Sequence, residues 1–406
     1  MKSRLPTIFI LLTVMIDAMG IGLIMPVMPD LLQAVLGAGL AHAAIWGGIL
    51  STCFAVAQFL FGPLIGNLSD RFGRRPVLLV SLFVMALDYL VMAVAGSIWL
   101  LLGARLIGGI TSATHATAAA FMADTSPPGK RGQGFGMVSA AFGLGFVLGP
   151  VIGGILGDLG TRAPFLAAAA LAGANFLFGL LILPETVTDA NRRAFQWRRA
   201  NPLGALANIR AFPGLGRLLL VFFLYQVSFN VYPIIWSYFT TAQFGWDSRM
   251  IGLSLAAFGI SMAVIQGGII RLVLSRLGEH KTVLLGFGFG VISFVLLVIV
   301  KNGLIALALT PICALAAMSA PAIQAIMSQD TAPDAQGELQ GLIASVSALA
   351  MILSPLIMTN VFAAFTAEGA ALYLPAAPFI ASLILVSLGG LLFAGHARGA
   401  LTRIDA

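Results

Sequence analysis

Gly66-Asn67-Leu68-Ser69-Asp70-Arg71-Phe72-Gly73-Arg74-Arg75-Pro76 sets four charges and two glycines between two long apolar runs. Glycine lets one helix end and another restart in little room, which is the part given to Gly66 and Gly73. Pro76 suits the first turn of the helix that follows, where its missing N–H costs nothing. Asp70, Arg71, Arg74 and Arg75 can pair with one another, with lipid phosphates or with a neighbouring helix end. The stretch is a tight, charge-dense turn between two segments of membrane length.

Composition agrees with that reading. The chain of 406 residues is 59% hydrophobic and 9% charged, with a mean hydropathy of +1.01. Soluble domains carry about 25% charged residues. Apolar runs fall near 6–29, 43–65, 76–95, 98–122, 134–157, 163–184, 215–240, 249–271, 282–300, 303–327, 338–362 and 372–395. Each is about the 20 residues that a helix needs to cross hydrocarbon. The expected fold is therefore an all-α membrane protein of twelve spanning helices. The net charge of +7 does not point to nucleic acid, because the basic residues sit in the breaks between runs. Lys2, Arg4, Arg71, Arg74, Arg75, Lys130 and Arg131 fall on the side of the termini, while Arg162, Arg249 and Lys301 fall on the other. That imbalance predicts cytoplasmic termini. The first run carries Asp17 and continues past signal-peptide length, so it reads as an uncleaved span. Cys53 and Cys313 lie in apolar runs without metal-ligand spacing, and no metal or cofactor is expected.

One long polar connection, 185–214, divides the spans six and six, giving domains at 1–184 and 215–406. Its Arg192, Arg193, Trp197, Arg198 and Arg199 suit either a plain linker or a segment lying on an anionic membrane surface. The two halves repeat. Gly73 and Gly278, Gly132 and Gly337, and Pro150 and Pro355 each stand 205 residues apart. One constant offset across separated motifs indicates duplication, hence two pseudo-symmetric six-helix bundles.

Ionisable groups inside spans cost roughly 2.5–3.5 kcal/mol each at a helix centre, so they mark function by default. Asp17, Asp88 and Arg105 are such groups, all in the first half; no acid lies within a span of the second. A carboxylate there can take up and release a proton, against which a fixed arginine charge is weighed. A static ion pair is the alternative. His115 in the fourth span can line a cavity, and Tyr225 in the seventh, near Pro233, can form a pocket wall or pack within its bundle. In the fifth span Gly149, Pro150 and Gly153 combine close helix approach with a kink.

The opening stretch resembles the signature loop between the second and third helices of the major facilitator superfamily. Gly149-Pro150-Val151-Ile152-Gly153-Gly154 resembles the antiporter signature of its drug exporters. The runs Met15 to Pro29, Gln58-Phe59-Leu60-Phe61, Arg105-Leu106-Ile107-Gly108-Gly109, Met122-Ala123-Asp124-Thr125 and Pro321-Ala322-Ile323-Gln324-Ala325 are similar to the bacterial tetracycline-efflux branch. The resemblance implies substrate or proton binding by Asp17, Gln58, Asp88 and Arg105, with Gln324 in a matching run. It implies a conformational role for Asp70, Arg71 and Asp124, with Arg71 paired to Asp124 and Asp70 facing the helix N-terminus near Gly337. Two positions depart from the branch: a functional histidine aligns with Met262, although Gln266 remains, and a membrane aspartate aligns with Gly290. A cavity built so would contact its ligand through Phe258, Met262 and Tyr225 and favour a less charged molecule than a metal chelate. The implied activity is proton-coupled export of an amphipathic compound from a bacterial inner membrane by a monomer among lipid. The rivals are an importer or metabolite exporter of the same fold, and a non-transporting receptor or scaffold. No nucleophile–base constellation points to an enzyme.

Overall fold

In hydrocarbon a chain must satisfy its backbone polar groups internally, and a helix does so within one segment. The computed structural model describes residues 5–112, 114–127, 131–189, 192–196, 201, 204, 212 and 214–404. Among these the regular structure is helical throughout. Trp197, Arg198 and Arg199 lie outside the described residues, as do Lys2, Arg4 and Lys130.

The helices in chain order are α1 Leu5–Ile24, α2 Met28–Leu36, α3 Leu40–Phe72, α4 Arg74–Val94, α5 Ile98–Thr111, α6 Thr114–Thr125, α7 Arg131–Gly157 and α8 Ala163–Ile182. After the linker come α9 Gly216–Phe229, α10 Val231–Phe244, α11 Ser248–Val264, α12 Ile270–Ile299, α13 Gly303–Leu315, α14 Ser319–Gln329, α15 Gln336–Thr366 and α16 Ala377–Ile404. Among the described residues, ten helical stretches are long and apolar enough to cross a membrane. Two physical features reconcile ten with twelve. The fourth passage is broken at Ser112 (φ −73°, ψ 67°), so neither α5 nor α6 spans alone. The stretch Ser248–Ile299 runs 52 residues, roughly 80 Å as one helix, and turns back at Gly278 (φ 71°, ψ 173°). Twelve passages result among the described residues, the number that the apolar runs predict. Leu181, Leu159 and Leu391 stand 85%, 79% and 73% exposed, as suits surfaces facing lipid rather than water.

The chain divides into two compact units. The first comprises 1–38, 53–202 and 247–256; the second comprises 39–52, 203–246 and 257–406. In the first, Phe9, Ile10 and Val14 of α1 pack with Leu78, Leu82, Phe121 and Met122. Thr13 and Asn175, both buried, bond to each other with Asn175 Nδ2 donating over 3.1 Å. In the second, Phe222, Phe239, Phe294, Phe362 and Phe379 are fully buried, and Tyr232 stacks on Phe294 at 5.5 Å.

The glycines of α7 are one-sided. A Cβ at Gly145, Gly149 or Gly153 would drive into the carbonyl oxygens of Met15, Met19 and Leu23 on α1. Lipid gives no hydrophobic drive for helices to pair, so this close approach supplies the attraction instead. Gly143, on the same helix, has nothing within 4 Å of an added Cβ. Gly149→Ala should therefore destabilise the detergent-purified protein by about 1–3 kcal/mol through overpacking, with Gly143→Ala near neutral. Thermal unfolding followed by tryptophan fluorescence checks this; equal midpoints for the two variants would refute it.

Candidate functional site

The antiparallel pair α4 and α5 brings Asp88 and Arg105 together, 17 residues apart in sequence. Arg105 Nη2 donates to Asp88 Oδ2. The Asp88 side chain is 4% exposed and that of Arg105 12%. Gly108 makes the room, since a Cβ there would lie 3.0 Å from Asp88 Oδ2. The guanidinium also stands 5.2 Å from the centroid of the Phe54 ring, a cation–π contact strengthened where water is excluded. Asp88 Oδ1 and Arg105 Nε, both buried, have no partner among the described residues. The pair is thus joined by one of the carboxylate's two oxygens, and the other is left for a proton or another donor.

Asp17 lies half-buried on α1. Tyr89, next to Asp88 in sequence and 4% exposed, is within electrostatic reach of Asp17, Asp88 and Arg105. Its hydroxyl lies where a Cβ at Gly20 of α1 would fall. One turn beyond Gly108, Gln58 Nε2 donates to Ser112 Oγ at 2.9 Å, at the break between α5 and α6. The first unit therefore gathers Asp17, Tyr89, Asp88 and Arg105, with Gln58 and Ser112 nearby. Tyr89 and Ser112 escape sequence reasoning; the only signal for the first is its place beside an intramembrane acid. His115, exposed on α6, sets its ring edge-on to Phe142 at 5.6 Å.

The second unit carries Tyr225, Phe258, Met262, Gln266, Gly290 and Gln324. Tyr225 is 2% exposed and donates to Ala316 O at 3.1 Å, with its ring stacked on Phe229. Phe258 and Met262 lie against the cluster of Ile265, Ile270, Ala314 and Met318. Gln266, exposed, occupies a π-helical turn at Ile265–Ile269, a distortion often found at functional sites. Gln324 is half-buried on α14. A Cβ at Gly290 would come within 3.2 Å of Val386 Cγ2 and 3.7 Å of Ala316 Cβ, so a side chain there would press on its neighbours.

The charged turn differs from expectation in its extent and its pairing: Gly66 ends no helix, because α3 runs on to Phe72 and only Gly73 separates it from α4. Asp124 Oδ2 accepts from Arg74 Nε at 3.3 Å and from Thr186 Oγ1 at 3.3 Å. Arg71 does not meet Asp124; its guanidinium lies 5.1 Å from the Phe72 ring centroid. Arg74 also pairs with Asp70 at 2.5 Å. The reason is the restart at Gly73, which aims the first residue of α4 back over the turn.

A family model described as Major Facilitator Superfamily matches residues 10–355. The chain belongs to that superfamily, a class of membrane transporters. It is similar to the tetracycline resistance protein, class C, of Escherichia coli, 40% identical over 93% of this chain and 97% of that one. The class G protein of Vibrio anguillarum is 38% identical over 95% and 99%. Among solved structures, the human organic anion transporter MFSD10 (TETRAN) is 27% identical with a TM-score of 0.69, covering 97% of this chain and all of that one.

Arg105→Ala strands Asp88 as a buried charge, which typically costs about 3–5 kcal/mol. Adding Asp88→Asn should recover a large part of the loss. A double-mutant cycle of thermal unfolding in detergent measures this, and strictly additive effects would show that the two side chains are uncoupled.

Proposed function

We propose that the protein is a proton-coupled antiporter that exports an amphipathic organic compound across a bacterial inner membrane by alternating access, with both termini cytoplasmic. The observation that carries this reading is the buried Asp88–Arg105 pair, with Asp17 and Tyr89 beside it, in a chain 40% identical to a tetracycline resistance protein. A guanidinium keeps its proton, whereas a carboxyl can bind and release one. Protonating Asp88 removes its attraction to Arg105 and frees a cation held by one bond and one ring face. Rearrangement and proton uptake are then one event. Asp17, across Tyr89, offers a second carboxyl to the same exchange. Substrate enters from the cytoplasm, and protonation from outside drives its release and the return.

Asp88→Asn should insert and fold but lose gradient-driven transport, because the amide cannot cycle a proton. Inverted vesicles with an imposed pH gradient, assayed for drug-dependent proton movement, test this directly. Unchanged exchange would reduce Asp88 to a structural residue.

The ligand is a less charged molecule than a metal–tetracycline chelate. Met262 and Gly290 stand where the resemblance places a histidine and an aspartate, and removing a charged partner from a buried contact typically costs several kcal/mol. Expression in a drug-sensitive host should give at most weak tetracycline resistance and clearer protection against another amphipathic antibiotic or dye. High-level, magnesium-dependent tetracycline resistance would overturn the inference about the ligand and leave proton exchange standing.

A further inference from the structure

The N-terminus of α4 has no cap of its own. Its flanking residue is Gly73, at φ 116°, with no side chain to offer the first free N–H groups. Those groups are nonetheless satisfied from a distance. Glu185 Oε1 accepts from Arg74 N at 2.9 Å, and Oε2 accepts from Arg75 N at 3.2 Å. Oε1 also accepts from Thr186 N and Val187 N, each at 2.9 Å. A Cβ at Gly73 would collide with this carboxylate, so glycine there serves the approach of Glu185 as well as the turn. A carboxylate at a helix N-terminus is favoured both by the free N–H groups and by the helix dipole.

Glu185 is the first residue past Pro184 at the root of the connection between the halves, and the chain that follows stays on the same turn. Thr186 Oγ1 donates to Asp124. Arg193 N donates to Asp70 O at 3.3 Å, and Asn67 Nδ2 donates to Gln196 O at 2.7 Å. The linker root therefore bonds at Asn67, Asp70, Arg74 and Arg75, all within one short stretch of sequence.

We infer that Glu185 is a positioning residue that fastens the linker root, residues 185–189 and 192–196, onto the charged segment 66–75 where α3 ends and α4 restarts, so that root and segment form one mechanical piece. The inference rests on reading that turn as a conformational element of the transporter. Its consequence is that strain carried along the linker reaches α4 through a carboxylate. The linker root is then part of the moving machinery.

Hydrogen–deuterium exchange on the full-length protein in lipid nanodiscs tests this without any substrate. Glu185→Ala should speed exchange at the amides of Arg74, Arg75, Thr186 and Val187 by about threefold to thirtyfold, the range expected for loss of a cap. Exchange at Arg193, whose amide Glu185 does not touch, should rise with them, while peptides within α8 stay unchanged. Glu185→Gln keeps one acceptor oxygen and should fall between the parent and the alanine variant; it also serves if the alanine variant fails to fold. Unchanged exchange at Arg74 and Arg75 would overturn the cap. Faster exchange there with Arg193 unmoved would overturn the fastening. Neither result depends on proton coupling or on the ligand, so failure of this inference is distinct from failure of the transport reading.

Discussion

No water waits in hydrocarbon to take up a loose N–H or carbonyl, and the rest of this structure follows from that constraint. It makes every passage a helix and confines irregular backbone to a few places. Those places are where polar side chains gather. At the break, the Gln58 amide donates to the Ser112 hydroxyl, while Ser112 N donates to Gly109 O. The π turn at Ile265–Ile269 contains Gln266. Near Pro355, whose missing N–H interrupts α15, Thr52 Oγ1 donates to Ile352 O at 3.1 Å. Ser354 Oγ, beside that proline, donates to Ala350 O at 2.6 Å and accepts from Asn230 Nδ2 at 3.4 Å. Polar side chains thus stand at or near each of these departures from regular helix.

The same constraint governs charge. Arg105 sits between the Asp88 carboxylate and the Phe54 ring, two partners that do not require water. Gly108 is needed because a side chain there would crowd the carboxylate. At the membrane surface the rule relaxes, and Asp70, Arg74 and Asp124 form a looser set, joined by Ser69 and Thr186 hydroxyls. A partly exposed network of this kind holds by geometry and number of partners more than by the strength of any one pair.

Much of the fold was legible in the sequence because apolar length and charge imbalance are set residue by residue. Twelve runs became twelve passages. The site was legible as membership and not as geometry. Asp17, Asp88 and Arg105 announce themselves by their cost in lipid, but nothing local says that Arg105 meets Asp88 with one oxygen free. The break at Ser112 carries no proline to announce it. The choice of Arg74 over Arg71 as the partner of Asp124 depends on where Gly73 ends one helix and begins the next. The role of Glu185 depends on a contact 111 residues away in sequence. Each of these is a tertiary fact, fixed by packing between segments that have no pattern in common.

The duplication shows how one scaffold holds a buried ion pair in one half and, among the described residues, none in the other. At the 205-residue offset, Gly73 and Gly278 both keep a positive φ, so the turn survives in both copies. Arg74 and Asp124 correspond to Glu279 and Gln329, which also bond, Gln329 Nε2 donating to Glu279 Oε1 at 3.1 Å. The contact is kept while the ion pair is not. Asp88 and Arg105 correspond to Ser293 and Thr310, both buried at 0% and 2% exposure. Tyr89 corresponds to Phe294, which has no hydroxyl to place among charges. Small neutral groups cost far less in lipid than an acid and a base, and they can be satisfied by a single backbone oxygen, as Thr310 is by Leu307 O at 2.8 Å. The second unit therefore keeps the helix framework and the turn, with two hydroxyls and a phenyl ring where the first has an ion pair and a phenol.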